Sequence, residues 1–277
     1  MRQYLDLLSK IHREGDDRLD RTKVGTRALF GLNFRHALHG GRSFPLLTTK
    51  AINFELIKAE LLWMISGSSD VRDLQKLGCH IWDANANADY WKPKAKFEGD
   101  LGRVYGVQWR HWRCADNQSR EVDQLSDVIE RIKNNPYDRR LLVTAWNPGE
   151  LDQMALPPCH MFFQFFVAQG ELSVHMYQRS CDMFLGVPFN IAFYALLLCM
   201  VAQVTKLLPH ELVITFGDVH IYQNHFEQVK KQLERSPLAL PALRLNPEVT
   251  AIDDFQMEDI ILQNYESYPA IKAPMAV

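Results

Sequence analysis

Leu156-Pro157-Pro158-Cys159-His160-Met161-Phe162-Phe163-Gln164-Phe165-Phe166-Val167 is the stretch on which the reading of the fold turns. Its two prolines fix φ and push the residues before them away from helix, so the chain approaches Cys159 extended. The aromatic run after it reads as a core strand, with Cys159 at its mouth. Two readings of Cys159 stand side by side at this point. It is one more buried apolar residue, as free cysteine often is, or it is a nucleophile held rigidly yet within reach. Downstream, residues 172–178 pair back across Ala168-Gln169-Gly170-Glu171 as a hairpin and lead into Arg179-Ser180-Cys181-Asp182. Residues 189–208 are apolar nearly all round and predict a central buried helix. Asn190 stands at its opening, where an N-cap is the simplest role.

Composition bounds the function. The chain has 277 residues, 47% of them hydrophobic and 23% charged, enough for one large core. A formal net charge of −2 argues against a protein that coats nucleic acid, so any phosphate must meet a local arginine cluster. The five cysteines, Cys79, Cys114, Cys159, Cys181 and Cys199, form no C-x-x-C pair, which suits free thiols in a reducing compartment and no metal site. The N-terminus carries no signal-peptide pattern. The longest apolar run, 191–202, is shorter than the roughly 20 residues a membrane span takes. These features predict a cytoplasmic protein without membrane contact.

Upstream, Tyr4, Leu5, Leu8 and Ile11 fall at helical spacing before Gly15. A polar turn, Asp20-Arg21-Thr22-Lys23-Val24-Gly25-Thr26, suits either a solvated loop or an anion site. A second helix is predicted over 54–66, with Glu60 on or beside the face formed by Ile57, Leu61 and Met64. A carboxylate there is a boundary residue or, if buried, a proton carrier with a raised pKa. Residues 84–99 read as a polar surface excursion, and the glycine-punctuated 99–109 as a loop suited to close over a flat ligand. Val122, Leu125, Val128, Ile129 and Ile132 mark an amphipathic helix stopped by Asn134-Asn135-Pro136. Arg139-Arg140 enters the strand 141–146, and adjacent strand residues point to opposite faces, so at least one arginine needs a partner. One α+β domain spanning 1–277, a large sheet covered by helices around a buried central helix, is the economical architecture.

Several stretches, in order, resemble the thymidylate synthase family: Asp20-Arg21-Thr22, Thr48-Thr49-Lys50, Glu60-Leu61-Leu62-Trp63, Ile81-Trp82-Asp83, Val104-Tyr105-Gly106, Arg139-Arg140, Pro158-Cys159-His160, Gln178-Arg179-Ser180-Cys181-Asp182, Pro188-Phe189-Asn190 and Gly217-Asp218-Val219-His220-Ile221-Tyr222. The resemblance implies methylation of dUMP to dTMP, with 5,10-methylenetetrahydrofolate as co-substrate and no metal. It implies a homodimer joined through its sheets. Carried onto this chain, the catalytic set is Cys159, Glu60, Tyr105, Asp182 and His160. The nucleotide would be held by Arg21, Arg179, Ser180, Cys181, Asp182, Asn190, His220, Ile221 and Tyr222, with Arg139 and Arg140 from the other subunit. Asn53, Ile81, Trp82, Asp182, Gly186, Ala276 and Val277 would meet the reduced folate. No obligatory nucleic-acid partner is implied.

The chain departs from the family's common pattern at Lys23-Val24, Ala51, Asn53, Phe193 and Glu266-Ser267-Tyr268-Pro269, mostly on the folate side. The alternatives are a dUMP hydroxymethylase of the same fold, in which water traps the one-carbon adduct, and a non-catalytic binding protein. Trp82 and the Met275-Ala276-Val277 tail favour exclusion of water, and asparagine at 190 favours uracil over cytosine.

Overall fold

The aromatic run after Cys159 is a strand inside a six-stranded sheet. The computed structural model describes residues 1–19, 24–114 and 120–274, so Arg21, Ala276 and Val277 lie outside the described residues. In chain order its elements begin with α1 (Arg2–Glu14), β1 (Asp16–Arg18), β2 (Thr26–Ala37), α2 (Phe54–Ile65), α3 (Val71–Lys76), α4 (Asp83–Ala86) and α5 (Tyr105–Arg110). Next come β3 (Trp112–Arg113), β4 (Glu121–Val122), α6 (Gln124–Asn134), β5 (Leu142–Thr144), β6 (His160–Ala168) and β7 (Glu171–Asp182). The chain closes with α7 (Gly186–Val204), β8 (Leu208–Tyr222), α8 (Phe226–Leu233), β9 (Ala242–Leu245) and β10 (Ile260–Gln263).

The large sheet runs β1-β2-β8-β7-β6-β5. Only β7 and β8 are parallel; every other neighbour pair in it is antiparallel. Gln169 and Gly170 close the β6–β7 hairpin with φ of 52° and 79°, the left-handed pair whose twist matches that of the strands. Alternation sorts the faces. Phe163, Phe165 and Val167 of β6 are buried, while Phe162, Gln164 and Phe166 point the other way. The inward face packs on α7, which is buried along most of its length and carries the chain from β7 to its parallel neighbour β8. By length and composition α7 could cross a membrane, but 83% of its apolar window is buried in the fold, as in a core helix. The outward face is bare. Phe162 and Phe166 are 36% and 66% exposed, and a concavity lined by Asn33, Arg35, Gln164, Ser173, His175 and Val213 runs across it.

Several expectations need correction. The central helix begins at Gly186, with Pro188 in the first turn, where a missing N–H costs little. Asn190 is therefore inside the helix and does not cap it. Residues 84–99 do form a largely exposed surface excursion, but a pinned one: Trp91 is buried with its indole donating to Asp100 O, and the Tyr90 hydroxyl donates to Ala155 O. The 99–109 segment is not a mobile cover, because residues 105–110 form α5 packed against α2. Gly106 permits that approach, since a Cβ there would lie 2.2 Å from Met64 O. Arg139 and Arg140 precede the edge strand β5, both exposed, and neither guanidinium bonds to the described residues.

Gly106→Ala should therefore cost about 1–3 kcal/mol of stability by forcing α2 and α5 apart. Urea unfolding monitored by circular dichroism measures it; an unchanged midpoint would mean that the two helices do not meet there.

Candidate active site

The sheet's connectivity brings the chemistry to one end. β7 and β8 finish together, with Asp182 beside His220 and Ser180 beside Asp218. The antiparallel partners begin there: His160 of β6 lies opposite Gln178, and Thr26 of β2 opposite Tyr222. The β1–β2 connection, in which Arg21 falls, leaves from this end, since Arg18 pairs with Thr26. α7 also starts there, and Phe184 N and Leu185 N both donate to Asp182 Oδ1, fixing the turn into it.

Cys159 is partly exposed and held from several sides. Its N–H donates to the Tyr105 hydroxyl at 2.8 Å, and its carbonyl accepts from Arg179 N at 2.8 Å. The Arg179 side chain turns back along the proline-stiffened approach, donating to Pro158 O and Pro157 O at 2.8 and 2.9 Å. One of its nitrogens lies 4.0 Å from the sulfur, and the guanidinium sits 5.3 Å over the Trp146 ring. A fixed cation beside a thiol favours the thiolate. Tyr105 has a φ of 23°, rare for a residue with a side chain, and the bond to Cys159 is what that conformation delivers.

Behind Cys159 runs a chain of aromatic and titratable groups. Trp82 donates its indole N–H to Glu60 Oε1 at 2.8 Å, and its ring meets Tyr105 edge-on at 5.7 Å. Tyr105 stacks on His160 with centroids 4.2 Å apart, and His160 Nδ1 bonds the Tyr194 hydroxyl at 2.7 Å. Burial pushes Glu60 up to about 7, against the opposing pull of the Trp82 bond, although part of its surface opens to the site. Burial also pushes His160 down to about 3, so its imidazole is neutral and makes a poor proton acceptor. Glu60 is the group poised to exchange a proton near neutrality.

The remaining candidates divide. Asn190 accepts from Gln178 Nε2 at 3.0 Å, which turns its own amide N–H₂ elsewhere. His220 and Tyr222 sit together, rings 5.3 Å apart, with His220 Nδ1 against Asp218 Oδ1 at 3.0 Å. Cys181 and Ile221 are fully buried, and the Cys181 thiol donates to Gln178 O, so their side chains pack and do not face a ligand. Asn53 caps α2 by accepting from Glu55 N, Ile81 is 39% exposed, and Gly186 opens α7. Arg139 and Arg140 are far off. Arg140 would pair with Phe166, seven residues along β6 from Cys159, roughly 23 Å at strand rise. Sequence reasoning missed Tyr194, Gln178 and Trp146 as supports. The one available signal was Tyr194, a hydroxyl in the most apolar stretch of the central helix.

The Glu60 environment gives a test by stability. In the unfolded chain its carboxyl ionises near 4.3; in the fold it keeps its proton to about 7. The stability it contributes is full below the unfolded pKa and is lost as pH rises through the folded one. Glu60→Gln removes that loss. The variant should therefore gain on wild type by on the order of 3–4 kcal/mol between about pH 4 and pH 8. Parallel pH–stability profiles of the two proteins would contradict it.

Against known protein families, residues 2–277 match thymidylate synthase, essentially the whole chain. No group of three or more metal-ligating side chains occurs among the described residues. With that match over this length, and with Cys159 and Arg179 set side by side where strands and central helix converge, the chain belongs to the thymidylate synthase family.

Proposed function

We propose that the protein methylates dUMP to dTMP, with 5,10-methylenetetrahydrofolate as co-substrate. The observation that carries the proposal is the Cys159–Arg179 pair, a soft nucleophile 4.0 Å from a fixed guanidinium, at the end of the sheet where Glu60 titrates near neutrality. Cys159 Sγ adds to C6 of the uracil, and the C5–C6 electron pair moves toward O4, making C5 nucleophilic. Asn190 supports the uracil edge, with its orientation set by Gln178. Once C5 carries the new carbon, the Tyr105 hydroxyl, already anchored to Cys159 N, relays the C5 proton. Glu60 manages the proton at O4, and elimination expels the thiolate. Neutral His160 holds Tyr105 in its stack and takes no proton itself.

The reduced folate supplies the carbon and the hydride when bound. The residues present fit a flat, hydrogen-bonding ring: Asp182 Oδ2 accepts no bond from the described residues, leaving an acceptor at the start of α7 beside Gly186. Asp182, Ile81 and Trp82 would hold the ring and Asn53 its outer part. Ala276 and Val277, assigned to closure, lie outside the described residues.

The phosphate would be met by Arg21, Arg179 and Ser180 of one subunit, with Arg139 and Arg140 from a second copy. Two observations support this sharing. Arg139 and Arg140 stand at the wrong end of β6 to serve their own Cys159. The bare aromatic face of the sheet is the surface through which a second copy would bring them.

Cys159→Ser should abolish product while dUMP still binds, because a hydroxyl is too weakly acidic to replace the thiolate; turnover in that variant would remove Cys159 from the mechanism. Asn190→Asp should shift preference toward dCMP, since an ionised carboxylate accepts from the cytosine amine but repels uracil O4. Unchanged discrimination would leave Asn190 a purely structural residue. The shared site is tested by mixing. Subunits with Arg139→Glu and Arg140→Glu, re-equilibrated with Cys159→Ala subunits, should recover about a quarter of wild-type activity, because half the dimers are mixed and each holds one intact site. Mixtures as inactive as their parents would contradict the arrangement.

A further inference from the structure

Asp218 is placed between the two halves of the nucleotide site, and the reaction gives it nothing to do. It lies on β8 beside Ser180 of β7 on one side and Phe30 of β2 on the other. Its two carboxylate oxygens are divided. Oδ1 faces His220 Nδ1 at 3.0 Å, and Oδ2 accepts from Arg18 Nη1 at 2.9 Å. The His220 bond and, behind it, Arg18 hold its carboxyl below the usual carboxylate range, so it is ionised and can only accept. The nitrogen that faces it must then carry a proton.

We propose that Asp218 is a positioning residue that sets which way His220 presents itself to the sugar. With Nδ1–H committed to the carboxylate, the ring nitrogen left for the sugar is Nε2, which makes no hydrogen bond to the described residues. The group that fits a ring nitrogen held in that direction is a hydroxyl, such as the nucleotide's 3′-OH, which can both donate and accept. The neighbouring Tyr222 ring, edge-on at 5.3 Å, leaves the imidazole little freedom to turn. Arg18 gives the arrangement its second anchor. It ends β1, three residues before Arg21, so the same carboxylate that orients His220 also ties down the strand leading to the proposed phosphate-binding segment. The arrangement makes discrimination for the 3′-hydroxyl a property of Asp218 although Asp218 does not touch it. The inference rests on the proposal that His220 and Tyr222 hold the ribose.

The test measures binding of dUMP and of 2′,3′-dideoxyuridine monophosphate, which lacks only the 3′-hydroxyl. Wild type should prefer dUMP by about tenfold, the value of one well-placed hydrogen bond. Asp218→Ala should lose most of that preference by weakening dUMP alone, with dideoxy binding held within about twofold and kcat at saturation little changed. Asp218→Asn, whose amide oxygen still accepts from Nδ1, should restore much of it. Should alanine weaken the sheet, Asp218→Val keeps a strand-forming residue and serves the same purpose. Equal weakening of both nucleotides, or a preference that survives in Asp218→Ala, overturns the inference. Absence of any preference in wild type overturns instead the placing of the ribose at His220, so the two failures are distinguishable.

Discussion

A parallel pair in an otherwise antiparallel sheet cannot be closed by a tight turn; it needs a long crossover. Here the crossover is α7, and the pairing of β7 with β8 sets the layout of the whole candidate site. It sends both strands out at the same end of the sheet and starts a helix there. The antiparallel neighbours, β6 and β2, must enter at that same end. Cys159, Arg179, Ser180, Asp182, Asn190, His220 and Tyr222 therefore meet although they come from separate segments of the chain. The same constraint leaves Arg139 and Arg140 remote, because β5 runs antiparallel to β6 and its start lies at the far end.

Burial does the rest by setting charge. One set of apolar walls raises Glu60 toward neutrality and drives His160 to about 3, so two titratable groups joined through Tyr105 and Trp82 take opposite roles. The cation stays at the surface of this arrangement: Arg179 braces the proline approach through two carbonyls and lies over Trp146, so its charge is fixed beside the sulfur. Phe193 adds a third aromatic ring, 5.8 Å from His160, to the walls around it.

Much of this was legible in the sequence because its signals are local. The aromatic run of 160–168 as a strand, the two-residue Gln169-Gly170 turn, the amphipathic α1 and α6 and the all-round apolar α7 come from apolar runs, periodicity and turn chemistry. Glu60 was marked by a carboxylate beside an apolar face. Asn190, given a cap on local grounds, sits inside α7, which starts four residues earlier at Gly186. The 99–109 glycines read as a flexible cover, whereas Gly106 is a contact point between helices. Gln178 and Asp218 were unreadable for a different reason: each acts on a residue brought close by the sheet or the helix, and strand register is not written in any single segment.

The central claim is that the protein transfers a one-carbon unit to uracil C5 and delivers it as methyl. Mass analysis of the nucleotide formed after mixing the protein with dUMP and 5,10-methylenetetrahydrofolate tests this most directly. Thymidine monophosphate together with dihydrofolate is the predicted outcome. A 5-hydroxymethyl nucleotide with tetrahydrofolate, or dUMP recovered unchanged, would contradict it.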